Sequence, residues 1–146
     1  MKICSSCGEA KDESDFHKNK NSPDSLRYMC KTCNGLHARD GKLKREYGIS
    51  LACYKRIEKI QGGLCLICGK PETATHPKFG TLKHLAVDHD HSNGKVRGLL
   101  CSRCNQGLGM FLDNPSNMRV AADYIEWNRQ HKSNFIRKQM ISRRRK

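Results

Sequence analysis

Apolar residues along this chain come in short groups set apart by long polar stretches. Leu51, Tyr54, Ile57 and Ile60 recur every three residues, with Lys55, Arg56 and Lys59 on the opposite face, which predicts an amphipathic helix over 51–61. Ser50 is placed to cap its start, and Gly62-Gly63 to end it. Farther on, 82–88 and 95–100 read as two short strands. Ser92-Asn93-Gly94 between them is a hairpin signal, because Asn-Gly accepts the positive φ that tight turns demand. Ser102 is placed to cap a helix running through Asn105 and Leu108, so the predicted order is strand, turn, strand, helix. A further helix is expected over 117–131, with Met118, Ala121, Ala122, Ile125 and Trp127 on or near one side and Trp127 as its packing anchor. The stretch after Asn34, NGLHARDGKLKREYG, is basic and almost without apolar positions; it reads as a solvated linker with partial helix.

These elements enclose little core. Apolar residues make up 36% of the 146 positions and aromatic ones only 6%, so the fold needs a staple besides burial. The nine cysteines supply one. Eight of them fall into Cys-x-x-Cys pairs, Cys4/Cys7, Cys30/Cys33, Cys65/Cys68 and Cys101/Cys104, and Cys53 is left over as a small helix residue. The start, MKICSSCGEA, has no apolar run behind its lysine, and no stretch approaches the ~18 apolar residues of a membrane span. The expected setting is therefore cytoplasmic, where thiols stay reduced and repeated Cys-x-x-Cys units bind zinc rather than form disulfides. Two structural Zn²⁺ sites are expected, one on Cys4, Cys7, Cys30 and Cys33 and one on Cys65, Cys68, Cys101 and Cys104. The first would order a segment whose few apolar residues are Phe16, Leu26, Tyr28 and Met29, as a zinc ribbon or a treble clef. His17 and His37 flank it, but four thiolates already complete a tetrahedron.

Charge narrows the partner. The formal net charge is +14, and two Cys4 zinc sites would leave about +10. Such a balance favours a polyanion, nucleic acid ahead of a membrane surface. The tail 132–146, ending RRRK, adds basic residues suited to non-specific phosphate contact.

The densest chemistry lies inside the second cysteine frame. Val87-Asp88-His89-Asp90-His91 offers imidazoles, which change charge around neutral pH, flanked by carboxylates that suit Mg²⁺. Asn105, directly after Cys104, adds a neutral oxygen donor at a point fixed by the zinc. Strand alternation sends Asp88 and Asp90 one way and His89 and His91 the other, an arrangement suited to a base on one side of a phosphate and a metal ligand on the other. Asp90 reads either as a partner of the site or as a solvated turn residue, and His76 and His84 nearby read as surface histidines.

The string VDHDHSNGKVRGLLCSRCNQGLG, preceded by GGLCLICGK, closely resembles the core of the recombination endonuclease VII family, phage-encoded enzymes of the His-Me finger (HNH) class. The resemblance spans roughly 47–127, and the Cys4–Cys33 module looks, more loosely, like the N-terminal finger of many phage HNH proteins. It implies an α+β fold, a small zinc-stapled ββα-metal nuclease core behind an N-terminal Cys4 finger. By position it implies His89 as general base, Asp88 and Asn105 as ligands of a catalytic Mg²⁺ or Mn²⁺, and His91 in a supporting role at the phosphate or leaving group. It also implies structural zinc on Cys65, Cys68, Cys101 and Cys104, and products with 5′-phosphate ends. Arg97 matches a family arginine that holds either a phosphate or a nearby carboxylate, and Lys95 and Arg103 join it as candidate DNA contacts. Leu108 stands where the best-known member of that family has a functional glutamate and Ala86 where it has a histidine, which weakens the expectation that this chain shares that member's preference for branched DNA.

The expected organisation is a finger over 1–36, a basic helical linker over 37–62, the nuclease core over 63–131 and a basic tail over 132–146. DNA is the expected partner, with a homodimer and phage recombination or packaging proteins as further ones. The readings that compete with an endonuclease are a non-catalytic zinc-finger nucleic-acid binder and a partner-docking protein.

Overall fold

The computed structural model describes residues 1–130; the basic tail and His131 lie outside the described residues. The chain divides into two compact units, Met1–Ser102 and a second beginning at Arg103.

The first unit opens with a short hairpin, β1 (Lys2–Ile3) against β2 (Ala10–Lys11), that carries the turn Cys4–Cys7. Gly8, at φ 72°, lets the chain double back so that its N–H reaches the Cys4 carbonyl at 2.9 Å. A second hairpin follows, β3 (Phe16–Lys18) against β4 (Leu26–Cys30). Helix α1 (Lys31–Tyr47) starts immediately after Cys30, whose Sγ accepts from the Cys33 N–H at 3.5 Å. Phe16 packs on Cys4, Cys30 and Cys33, with Leu26 and Met29 partly buried against them, whereas Tyr28 faces solvent. Knuckle, hairpin and helix in that order make the finger a treble clef, one of the two forms left open by the cysteine spacing.

Helix α1 is longer than the partial helix expected in the linker after Asn34. It is continuous for 17 residues, passes straight through position 36 and ends only where Gly48, at φ 68°, donates its N–H to the Lys44 carbonyl. Two anchors compensate for the weak apolar stripe, the cysteine pair at its start and Leu43, which is buried, near its end. Helix α2 (Leu51–Ile60) lies where periodicity placed it, and Ser50 Oγ accepts from the Cys53 N–H. Asp40 of α1 sets the junction by accepting from the Leu51 N–H at 2.7 Å, and Arg39 lies over the ring of Tyr54, 4.5 Å from its centroid. Tyr54 is buried, but Ile60 is 77% exposed, so the stripe is covered only along its first turns.

A second knuckle, Cys65–Cys68 with Gly69, repeats the first: Gly69 N–H reaches the Cys65 carbonyl at 2.9 Å, as Gly8 reaches Cys4. Then comes the third hairpin, β5 (Ala86–His89) against β6 (Val96–Leu100), with Ala86 opposite Leu100 and Val87 opposite Leu99. Strand β5 is shorter than the expected 82–88. Leu82 instead bridges Thr75, and the Lys83 N–H bonds the Ala74 carbonyl, so these residues pair with the preceding loop. Helix α3 (Ser102–Met110) follows directly, completing strand, turn, strand, helix.

In the second unit the chain turns through Leu112 and Asp113, both at positive φ, into α4 (Pro115–Gln130). The helix begins two residues before the expected 117 because Asn114 accepts from the N–H groups of Ser116 and Asn117, with Pro115 in the first turn. No residue of α4 is buried, and Trp127 is half-exposed rather than a buried anchor.

Candidate active site

Two side chains outside the Asp-His string hold its hairpin. The hydroxyl of Tyr54 donates to the Leu85 carbonyl at 2.9 Å, tying α2 to the entry of β5. On the outer edge of β6, Gln61 Oε1 accepts from the Leu99 N–H and Gln61 Nε2 donates to the Leu99 carbonyl, both at 2.9 Å. The Leu66 N–H adds a bond to the same carbonyl at 3.1 Å, so the knuckle and the strand are stitched together. Gly98, opposite Asp88, lies close against this knuckle: a Cβ there would come 2.7 Å from Leu66 Cδ2, and that side chain would have to shift.

A third side chain fixes where α3 begins. Ser102 is the first residue of the helix rather than its cap, and its N–H and hydroxyl both donate to Glu72 Oε2 at 2.7 Å. Glu72 Oε1 accepts from the N–H groups of Thr73 and Ala74. Burial alone would push this carboxyl up, but the bonds from Ala74, Ser102 and Thr73 outweigh it and bring it down to about 2. Glu72 is therefore an anionic helix cap supplied from a distant loop.

On this frame Asp88 and Arg97 face each other across the hairpin. Arg97 Nε donates to Asp88 Oδ2 at 2.7 Å and Nη2 to Oδ1 at 2.8 Å, a bidentate pair in which the Asp88 side chain is only 12% exposed. Asp88 sits opposite Gly98 but His89 sits opposite Val96, which leaves Arg97 as the extra residue of a bulge. Of the two roles open to Arg97, the carboxylate contact is the one present. His89 and His91 stand on a common side, their ring centroids 4.6 Å apart, in keeping with strand alternation. Tyr47, the last residue of α1, meets His89 edge to face at 5.3 Å.

The eight paired cysteines form two clusters, Cys4, Cys7, Cys30, Cys33 and Cys65, Cys68, Cys101, Cys104, with the sulfur atoms of each within 4.8 Å of one another. None of them is in a disulfide. Cys68 and Cys101 Sγ lie 3.8 Å apart, far beyond disulfide length and equal to the ~3.8 Å edge of a tetrahedron with Zn–S near 2.3 Å. The Cys30 N–H, followed by that of Cys7, lowers the Cys4 thiol to about 6. Burial opposes ionisation of Cys65, but N–H groups of Cys68 and Cys101 bring it to about 6 as well. Each cluster thus holds a thiol ready to bind metal as thiolate, and the chemistry of both donor sets fits Zn²⁺.

The remaining expected residues take simpler places. Asp90 belongs to the turn, accepting from the Ser92 N–H and hydroxyl at 2.8 and 2.6 Å; the hydroxyl bond first, then the N–H, holds its carboxyl low. Lys95 is exposed at the mouth of that turn, its N–H bonded to Asn93 Oδ1. Arg103 and Asn105 lie in the first turn of α3, Arg103 exposed and Asn105 half-buried. His84 contacts Arg39 at 2.9 Å, and burial first, then that guanidinium, lowers its pKa. His76 packs on Phe79, while His17 and His37 are exposed and lie outside both cysteine clusters, as does Cys53. Tyr47, Gln61 and Glu72 went unnoticed in the sequence because each acts across a long separation and belongs to no motif.

Comparison with known proteins adds to this geometry. Residues 40–127, more than half of the chain, match the recombination endonuclease VII family. The Gene 59 protein of Mycobacterium phage D29 is 42% identical over 80 residues, covering 54% of this chain and 44% of that protein. The Gene 59 protein of Mycobacterium phage L5 is 41% identical over the same length, again 54% and 44%. The chain therefore spans less than half the length of these relatives. Among solved structures, the ββα-Me type II restriction endonuclease Hpy99I is 28% identical, with a TM-score of 0.37 over 85% of this chain and 64% of that one. With its cysteine-framed hairpin and helix inside the matched span, the chain belongs to the recombination endonuclease VII family.

Proposed function

We propose that this protein is a metal-dependent DNA endonuclease that hydrolyses phosphodiester bonds at the Asp88–His89 hairpin. The observation that carries the reading is the hairpin itself. A buried carboxylate and an imidazole sit on consecutive residues of β5 and each meets a different second side chain, Arg97 and Tyr47. His89 removes the proton of the attacking water, and the edge contact with Tyr47 limits how its ring can turn. His91 stands beside it to contact the phosphate or the leaving group. Asp88 and Asn105 offer the hard oxygen donors that Mg²⁺ or Mn²⁺ prefers, and such a cation would stabilise charge on the departing 3′ oxygen. Lys95, Arg97 and Arg103, with the overall charge of +14, hold the DNA backbone.

The exposed Val120, Tyr124 and Ile125 on α4 support self-association into a homodimer. Among the described residues no helix is long and apolar enough to cross a membrane.

Plasmid nicking in Mg²⁺ tests the activity. Wild type should convert supercoiled to nicked or linear DNA, and His89→Ala should slow this by about two to four decades. A wild type that binds plasmid but never nicks it would instead establish the non-catalytic zinc-finger reading.

A further inference from the structure

We propose that Arg97 is a metal-displaceable counter-ion: it holds the Asp88 carboxylate in the metal-free protein, yields it to the divalent cation, and then turns to a DNA phosphate. The inference rests on the reading of Asp88 as a ligand of the catalytic cation.

Three observations lead to it. The guanidinium engages both oxygens of Asp88, at 2.7 and 2.8 Å, so it covers the donor atoms a cation needs. A guanidinium and a divalent cation repel each other strongly when they share one carboxylate, so tight binding of one displaces the other. The two partners also differ in burial. Asp88 is 12% exposed and anchored in the strand, whereas Arg97 is 38% exposed and stands on a bulge, so the arginine is the side that moves. A buried carboxylate with no partner would be costly, which explains why a stand-in cation is built in. Once released, the guanidinium has the planar fork that suits a phosphate as well as a carboxylate, and it lies one strand away from His89. The exchange would keep the hairpin inert until metal and DNA arrive together.

The test measures Mn²⁺ binding to the zinc-loaded, DNA-free protein by calorimetry or electron paramagnetic resonance, alongside cleavage. Arg97→Gln should bind Mn²⁺ at least about tenfold more tightly than wild type, because the competitor is gone, yet cleave DNA more slowly, because the phosphate contact is gone. Equal or weaker Mn²⁺ affinity in Arg97→Gln overturns the proposal. Arg97→Lys serves if the glutamine variant does not fold, as judged by zinc content and circular dichroism. It keeps the charge but not the fork, and should fall between wild type and tenfold; no gain there overturns the proposal equally. Asp88→Asn separates this failure from that of the underlying reading. If it binds Mn²⁺ as wild type does, Asp88 is not a ligand, whatever Arg97 does.

Discussion

The amide of Gln61 occupies the place of a missing strand. The hairpin β5–β6 has two strands, and the backbone of Leu99, fully buried, would otherwise leave its N–H unpaired on the outer edge. Gln61→Ala should therefore destabilise the protein by roughly 1–3 kcal/mol, the cost of a buried donor with no acceptor. Gln61→Glu, which still accepts from Leu99 but cannot donate, should lose less; chemical denaturation followed by circular dichroism orders the three. Glu72 makes the same point with charge. Its folded pKa of about 2 lies below the ordinary carboxyl value, so its contribution is complete above about pH 5 and fades only as pH falls toward 2. Glu72→Gln should thus lower the melting temperature by an amount that stays constant from pH 6 to 8, where the zinc thiolates also persist. A deficit that grows or shrinks across that window would assign the loss to another group. Neither residue was legible as functional in the sequence, because a glutamine at a helix end and a glutamate in a loop look like solvated punctuation. Asp88 and His89 stood out as candidates because their chemistry is local, two adjacent side chains on one strand.

At the scale of elements, short-range pattern read well and anchoring read poorly. Ser50 and the spacing of Leu51, Tyr54 and Ile57 located α2 to within a residue. The Asn93-Gly94 turn located the hairpin, with Gly94 at φ 71°. Helix α1 was read as a linker with only partial helix because Gly35, Gly41 and its many charges offer no apolar stripe; what makes it continuous is fixed ends, Cys30 and Cys33 at one and Gly48 at the other. The glycines are then a remaining weakness. Gly35→Ala adds a methyl that meets nothing within 4 Å, and should stabilise the protein by roughly 0.5–1 kcal/mol in a denaturant midpoint. If it destabilises instead, α1 is not the continuous helix described. Strand β5 was drawn too long for the opposite reason: 82–85 alternate acceptably, but Leu82 and Lys83 pair with the 74–75 loop and the Leu85 carbonyl accepts from Tyr54.

At the scale of the whole molecule, the same plan occurs twice among the described residues. Each cysteine frame is a knuckle closed by a glycine, then an antiparallel hairpin, then a helix that starts at the second cysteine pair. An asparagine follows each frame's last cysteine, Asn34 and Asn105, but only the second hairpin carries an Asp-His pair; the first has Phe16-His17-Lys18. The finger nevertheless reaches the candidate catalytic hairpin through α1, which begins in the Cys30–Cys33 turn and ends with Tyr47 against His89. A rod of 17 residues, about 25 Å long, transmits the position of one end to the other if its first turn is clamped. Removing the finger's zinc should therefore loosen His89 without dissolving the second frame. Cys7→Ser alters an exposed ligand of the first cluster, so the variant should hold one zinc per chain where wild type holds two, and nick plasmid about tenfold more slowly. Cys68→Ser, the corresponding change in the second cluster, should abolish nicking together with the native signal of the hairpin. Zinc content by mass spectrometry and nicking rate on the same samples decide the matter: a one-zinc Cys7→Ser protein that cleaves at the wild-type rate would show that the finger lends nothing to the candidate catalytic hairpin.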